Sequence, residues 1–197
     1  MKKICIYCSS SNRVKSSFFN AAMELGEIIG LKGWTLVYGG TNIGLMGAVA
    51  KAVHSKGGYV TGVIPSFLKE KNIAYNESDE LFITENMRER KKIMEEASDG
   101  FIALPGGFGT VEEICEILTL KQLQLHNKPV VFLNIDDYYK NLIDFFEHMY
   151  NENFTKSDYR KLYSVLPDPQ SAISYIENYI VWIFIEKYRK ILQKPFG

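Results

Sequence analysis

Short apolar runs alternate with helix-length segments along the whole chain, and this alternation is its strongest structural signal. Residues 3–8 predict a strand, and 17–31 a helix that stops at Gly33. A strand over 34–38 runs into Gly39-Gly40, and a helix follows over 43–55. Residues 59–64 predict a strand closed by Pro65, 80–83 a weaker strand, and 87–97 a helix. A strand over 101–104 leads through a glycine-rich turn to a helix over 111–125. After Pro129 come a strand at 130–133, a helix at 138–150, a short strand near 162–166 and a last helix beyond Asp168. Strands this continuous in apolar character are buried on both faces, so they pair in parallel beneath covering helices. The expected fold is α/β: a doubly wound, mostly parallel sheet with helices on both faces, forming one domain over residues 1–197. Such sheets take their ligands outside the carboxyl ends of the strands. Three loops fall there: Ser9-Ser10-Ser11, the run from Gly39 to Gly47, and the run from Pro105 to Thr110. The polar residues 69–79 predict a long loop, the mobile part of the rim.

Composition narrows the class of partner. At 197 residues and 46% hydrophobic, the chain suits one domain with a sizeable core. Its 23 basic and 23 acidic residues cancel, which argues against a protein that tracks a nucleic-acid polymer. Three cysteines, at 5, 8 and 115, make no disulfide framework and fit a reducing compartment. Cys5 and Cys8 form a C-x-x-C inside a strand rather than at a helix start, so they read as buried thiols. The three histidines, at 54, 126 and 148, lack metal-ligand spacing, and no metal site is expected. The apolar run after Met-Lys-Lys is too short for a signal peptide, and residues 179–185 are too short to span a bilayer. The expectation is a soluble, cytoplasmic protein with no membrane partner.

Chemistry concentrates in Leu104-Pro105-Gly106-Gly107-Phe108-Gly109-Thr110-Val111-Glu112-Glu113. A strand, a tight glycine turn and a helix start form an anion site, because the first helical N–H groups have no partner. Two carboxylates stand one turn beyond, where a simple phosphate binder has no use for them. Glu113 has a plainer reading: Thr110-x-x-Glu113 fits a capping box. The first strand is followed by Cys8-Ser9-Ser10-Ser11 rather than G-x-G-x-x-G, so the dinucleotide fingerprint is absent. Those serines serve equally well as phosphate or ribose contacts and as a turn with a helix cap. Gly39-Gly40-Thr41-Asn42-x-Gly44-x-x-Gly47 is a second glycine-rich junction, its early glycines turning the chain and its later ones permitting close helix packing. Arg90 lies inside the apolar stripe of Met87, Met94 and Ala97, on a helix whose start carries Asn86 and Glu89 as a capping box. An arginine in such a stripe snorkels out or meets an anion. Arg88 and Lys91 add charge beside it.

These parts fit a nucleoside 5′-monophosphate. With the phosphate held at Gly106–Thr110, the anomeric carbon lies within reach of a carboxylate. Cleaving the N-glycosidic bond builds positive charge on the sugar, which that carboxylate stabilises or relieves by activating water. An arginine orients the phosphoribosyl group or assists the departing base, and no cofactor is required.

The chain resembles the LOG family of cytokinin riboside 5′-monophosphate phosphoribohydrolases, over most of its length from Ile4 to about Phe154. The family's P-G-G-x-G-T-x-x-E stands complete as Pro105 through Glu113, its R-K with a following methionine as Arg90-Lys91 and Met94, and its G-L-M-G as Gly44 through Gly47. Val63-Ile64-Pro65 also resembles it. The resemblance implies a Rossmann-like homodimer that hydrolyses AMP or N6-modified AMP to free base and ribose 5-phosphate, with its site near the dimer interface. It implies Arg90 and Glu113 as the catalytic pair and Gly106, Gly107, Gly109 and Thr110 as the phosphate cradle. Ser10, Gly39, Gly40, Gly44, Met87 and Lys91 complete the expected substrate-binding set. Three positions depart from the family pattern: Ser9 and Thr41 replace glycines, and Arg88 replaces a histidine. Members have carried the label lysine decarboxylase, but no lysine here has a recognisable pyridoxal phosphate context. The resemblance extends to molybdenum-cofactor carrier proteins, so a non-catalytic nucleotide or cofactor carrier is the competing reading. Base preference would depend on a pocket built from the 69–79 loop and a second subunit.

Overall fold

The computed structural model describes residues 1–179 of the chain. Seven strands form one sheet: β1 (Lys3–Tyr7), β2 (Thr35–Tyr38), β3 (Tyr59–Pro65), β4 (Glu80–Thr84), β5 (Gly100–Ala103), β6 (Val130–Leu133) and β7 (Ser164–Leu166). Their order is β4-β3-β2-β1-β5-β6-β7, and every pair is parallel. The chain winds outward from β1 in one direction, then returns to β5 and winds outward in the other. The carboxyl ends of β1 and β5 therefore splay their following loops apart, which opens a crevice at that point.

Among the described residues, seven helices accompany the sheet: α1 (Ser16–Leu31), α2 (Gly44–Ser55), α3 (Ser66–Lys69), α4 (Met87–Glu96), α5 (Phe108–Gln122), α6 (Lys140–Asn151) and α7 (Pro169–Glu177). Alternation along each strand splits the core in two. Ile4, Ile6, Leu36, Tyr38, Ile102 and Val131 face one layer with Leu25, Ile29, Val49, Val53 and Ile173. Cys5, Tyr7, Val37, Phe101 and Phe132 face the other, with Met94, Ile114 and Ile117. Cys5 in β1 and Cys8, one residue past the end of that strand, are buried free thiols, and burial pushes Cys5 up to about 12.

The close helix packing anticipated at Gly44 and Gly47 is made elsewhere. A methyl group on Gly26 would stand 2.6 Å from the Val49 carbonyl oxygen, and one on Gly30 2.6 Å from that of Val53. It is α1 that carries the small residues and α2 that rides on them, while Gly47 makes room for the backbone of Asn42. Two boundaries also move. Helix α5 starts at Phe108 rather than 111, and α6 starts at Lys140 after a 3-10 turn at Ile135–Asp137. The final helix begins as expected, with the Asp168 side chain accepting from the Ser171 N–H. The C-terminal run of residues 179–185 reaches the described residues only at Tyr179. Residues 180–197 lie outside them. No helix among the described residues is long and apolar enough to cross a membrane.

Gly26→Ala should lower stability by about 1–3 kcal/mol through overpacking against the α2 backbone. The check is the urea midpoint, read with an unchanged far-ultraviolet dichroism spectrum.

Candidate active site

Three loops converge at the carboxyl ends of β1, β2 and β5, and backbone hydrogen bonds hold them together. The Ser9 N–H donates to the Pro105 carbonyl at 3.3 Å, and the Leu45 N–H donates to the Ser9 carbonyl at 2.9 Å. The Gly44 N–H donates to the Asn12 side chain at 2.8 Å. Gly44 sits at φ +59°, and a side chain there would collide with the backbone of Ser10. The start of α2 is thus occupied by the first loop. The hydroxyls of Ser9 and Ser11 accept the N–H groups of Ser11 and Arg13, so they shape the turn, while Ser10 is exposed at its tip.

The start of α5 differs. Its cap residue is Gly107, and no side chain caps it, so its first N–H groups have no intrahelical partner. A methyl group placed on Gly107 or Gly109 would meet nothing within 4 Å, which leaves the turn open to a ligand. Gly106 has the opposite surroundings, since a side chain there would strike the buried hydroxyl of Thr110 at 2.1 Å. A cleft of about 230 Å³ beside this turn is lined by Ser9, Val14, Phe18, Pro105, Gly106, Gly107 and Tyr138.

The earlier helix start removes the capping-box reading of Glu113. Thr110 is the third residue of α5 and Glu113 the sixth, so Glu113 is past the reach of a capping box. Its carboxylate instead accepts a hydrogen bond from Nη1 of Arg90. Arg90 is 4% exposed and Glu113 5%. Burial pushes the Glu113 carboxyl up from its ordinary value, and the neighbouring guanidinium opposes that shift.

Arg90 reaches this position because Asn86 caps α4 as the sequence implies, although Glu89 reaches one residue beyond the cap N–H of the expected capping box. Asn86 accepts the N–H groups of Arg88 and Glu89, and Glu89 reaches back to the Glu85 N–H. Arg90 and Met94 then face inward, whereas Met87 is 40% exposed at the helix mouth. Nε of Arg90 donates to the Val63 carbonyl at 3.1 Å. Nη2 lies where a methyl group on Gly39 would be 2.3 Å away. The guanidinium is therefore packed among the ends of β2 and β3 and the second turn of α5. Gly40, at φ +74°, turns the chain beside it.

Lys91 points its charge elsewhere in the site. It pairs with Glu112 and, at 2.9 Å, with Glu116, which ties α4 to α5. The 69–79 loop is held at several points. The Asn42 N–H donates to the Ile73 carbonyl, the Tyr75 N–H donates to the Gly40 carbonyl, and Thr41 bridges Ala74. His54 clamps its far end, with Tyr75 Oη at 2.9 Å on Nδ1 and Asp79 at 2.9 Å on Nε2. A loop expected to be the mobile rim is thus stitched to the Gly39–Asn42 turn. Sequence reasoning passes over the carbonyl of Val63, which no side-chain pattern marks. It also passes over Tyr138 and Tyr139, although they follow a strand carboxyl end.

The family model described as "Possible lysine decarboxylase" matches residues 46–176, a span that includes both Arg90 and Glu113. The cytokinin riboside 5′-monophosphate phosphoribohydrolase LOG4 of Arabidopsis thaliana is 41% identical over 90% of this chain and 82% of its own length. The chain belongs to the LOG family. The phosphoribohydrolase LOG of Oryza sativa subsp. japonica is 40% identical over 91% of this chain and 74% of its own. Among solved structures, the molybdenum cofactor binding protein of Rippkaea orientalis superposes with a TM-score of 0.69 at 25% identity, covering 90% of this chain and 96% of that one. The LOG relatives are thus closer in sequence than this structural neighbour.

Gly39→Ala should displace the Arg90 guanidinium, since its methyl group would overlap Nη2. The expected outcome, if this is a catalytic centre, is at least a ~100-fold fall in turnover together with a lower unfolding temperature, because the buried charges lose their pairing, measured by base release and thermal denaturation.

Proposed function

We propose that this LOG-family chain hydrolyses the N-glycosidic bond of AMP or an N6-modified AMP, yielding free base and ribose 5-phosphate. The observation that carries this reading is the buried Arg90–Glu113 pair, whose carboxylate stands on α5 beyond that helix's uncapped start. Glu113 lies five residues past Phe108, about 7.5 Å along the axis, a separation on the scale of a phosphorylated pentose. A phosphate at Gly106–Thr110 meets the α5 N–H groups and the positive end of the helix dipole. The sugar then extends toward Glu113, whose carboxylate stabilises the developing oxocarbenium charge or activates water. Arg90 holds that carboxylate in place and presents positive charge to the phosphoribosyl group or the departing base. Ser10, Gly39 and Gly40 border the ligand from the neighbouring strand ends, and Met87 stands at its rim. Gly44 and Lys91 contribute through the loops and helices that they fasten.

A buried ion pair is weak evidence of stabilisation, because desolvation of both charges offsets their attraction. Its retention here makes sense if the charges are needed for chemistry. Neutralising Glu113 without changing its shape therefore gives the cleanest test. Glu113→Gln should reduce base release from AMP and isopentenyl-AMP by roughly 10²–10⁴-fold, while ribose 5-phosphate binding stays within a few-fold. Base release is read by chromatography, and binding by calorimetry. Binding of nucleotide with no turnover in the wild type would instead favour the carrier reading, which the cofactor-binding structural neighbour supports.

The acid limb of kcat/KM should lie above 4.5, the ordinary value for a glutamate, because burial raises Glu113 and the ionised form is the active one. Activity is then lost as pH falls through that raised value. A limb at or below 4.5 would assign the titration to another group.

The homodimer belongs to the same proposal. Phe82, Ile83, Met87 and Phe108 are large apolar side chains exposed on β4 and at the starts of α4 and α5. A second copy covering them would close the site's open side and complete a pocket for the base. Light scattering at micromolar concentration should give twice the chain mass, and Phe108→Asp should shift it toward the monomer.

A further inference from the structure

Two consecutive tyrosines hold the glycine turn from behind. Tyr138 Oη donates to the Gly106 carbonyl and Tyr139 Oη to the Leu104 carbonyl, both at 2.6 Å. Tyr139 is buried and packs edge-on against Phe132, while Tyr138 packs edge-on against Phe18 and forms a wall of the cleft beside the turn. The backbone before them is unusual. Asp136 and Asp137 both lie in the left-handed region, at φ 52° and 57°, which is costly for two successive residues with side chains. Their carboxylates are held in turn, Asp136 by the Ser17 hydroxyl at 2.7 Å and Asp137 by the Asn134 amide at 3.1 Å. The Asn134 side chain also accepts the Tyr139 N–H at 2.7 Å. Several side chains thus maintain an unfavourable backbone whose result is to place two hydroxyls on one turn.

The two carbonyls have different successors. A trans peptide is planar, so its C=O and the next N–H point in opposite directions. Leu104 is followed by proline, which has no N–H to aim. Gly106 is followed by Gly107, the cap residue of α5, and a peptide between two glycines meets little steric resistance to flipping. We propose that Tyr138 is a positioning residue for the phosphate subsite: its hydroxyl locks the Gly106–Gly107 peptide so that the Gly107 N–H keeps the orientation an anion at the α5 start requires. This rests on the placement of phosphate proposed above. Tyr139 performs the structural half of the task, anchoring the strand end.

The test compares Tyr138→Phe with Tyr139→Phe in the full chain. Tyr138→Phe should weaken calorimetric binding of ribose 5-phosphate, and raise KM for AMP, by about 5–20-fold. Its kcat should stay within twofold, and its unfolding temperature should be nearly unchanged. Tyr139→Phe should lower the unfolding temperature while leaving ribose 5-phosphate binding within twofold. The inference is overturned if Tyr138→Phe binds ribose 5-phosphate as the wild type does, or if both variants lose affinity only in proportion to lost stability. Because the binding measurement needs no turnover, a wild type that binds ribose 5-phosphate but releases no base would defeat the hydrolase reading and leave this comparison decisive.

Discussion

An arginine cannot shed its charge inside a protein, so whatever surrounds a buried guanidinium must supply acceptors and space. Arg90 imposes that demand on four elements at once. Strand β3 gives a backbone carbonyl, α5 gives a carboxylate, and the end of β2 gives a glycine where any side chain would intrude. Helix α4 contributes the arginine itself and a capped start that fixes its rotation. Lys91, one position on, is matched by Glu112 and Glu116 of α5. The interface between α4 and α5 is therefore organised by charge, while the one between α1 and α2 is organised by the close approach of small residues. That contrast separates the half of the molecule that holds the buried ion pair from the half packed on small residues.

Much of this is legible in the sequence because the relevant signals are periodic. Strands β1, β2, β5 and β6 are apolar at nearly every position, which a sheet covered on both faces requires, and the structure has that sheet in wholly parallel form. Arg90 stands out as a charge in an apolar stripe, and the structure buries it. The signals that fail are local ones overridden by tertiary context. Glycines are poor helix formers, so Gly-Gly-Phe-Gly reads as a turn. The helix nevertheless begins inside it at Phe108, and this shift removes the capping role that local pattern gives Glu113. Gly39 looks like a turn residue, and its missing side chain also serves an arginine far along the chain. No pattern in a single sequence encodes that kind of relation.

The 69–79 loop shows the same limit from another side. Its composition is polar, which suggests a segment held by nothing. Its backbone, however, pairs with Gly40, Thr41 and Asn42, and its far end is fastened by His54 and Asp79. Backbone hydrogen bonds do not depend on side-chain hydrophobicity, so composition is blind to them.

That stitching links two properties that enzymes often vary separately. In the proposed function the loop borders the nucleobase, and the turn it pairs with borders the Arg90 guanidinium. Lengthening or shortening the loop would pull on Gly40 and Asn42, and through them on the room left for Arg90. Under the proposed function, diversification of base preference is channelled into side-chain exchange at constant loop length, because altered spacing would disturb the Arg90–Glu113 pair along with the loop. The rim and the buried ion pair are therefore bound to change together.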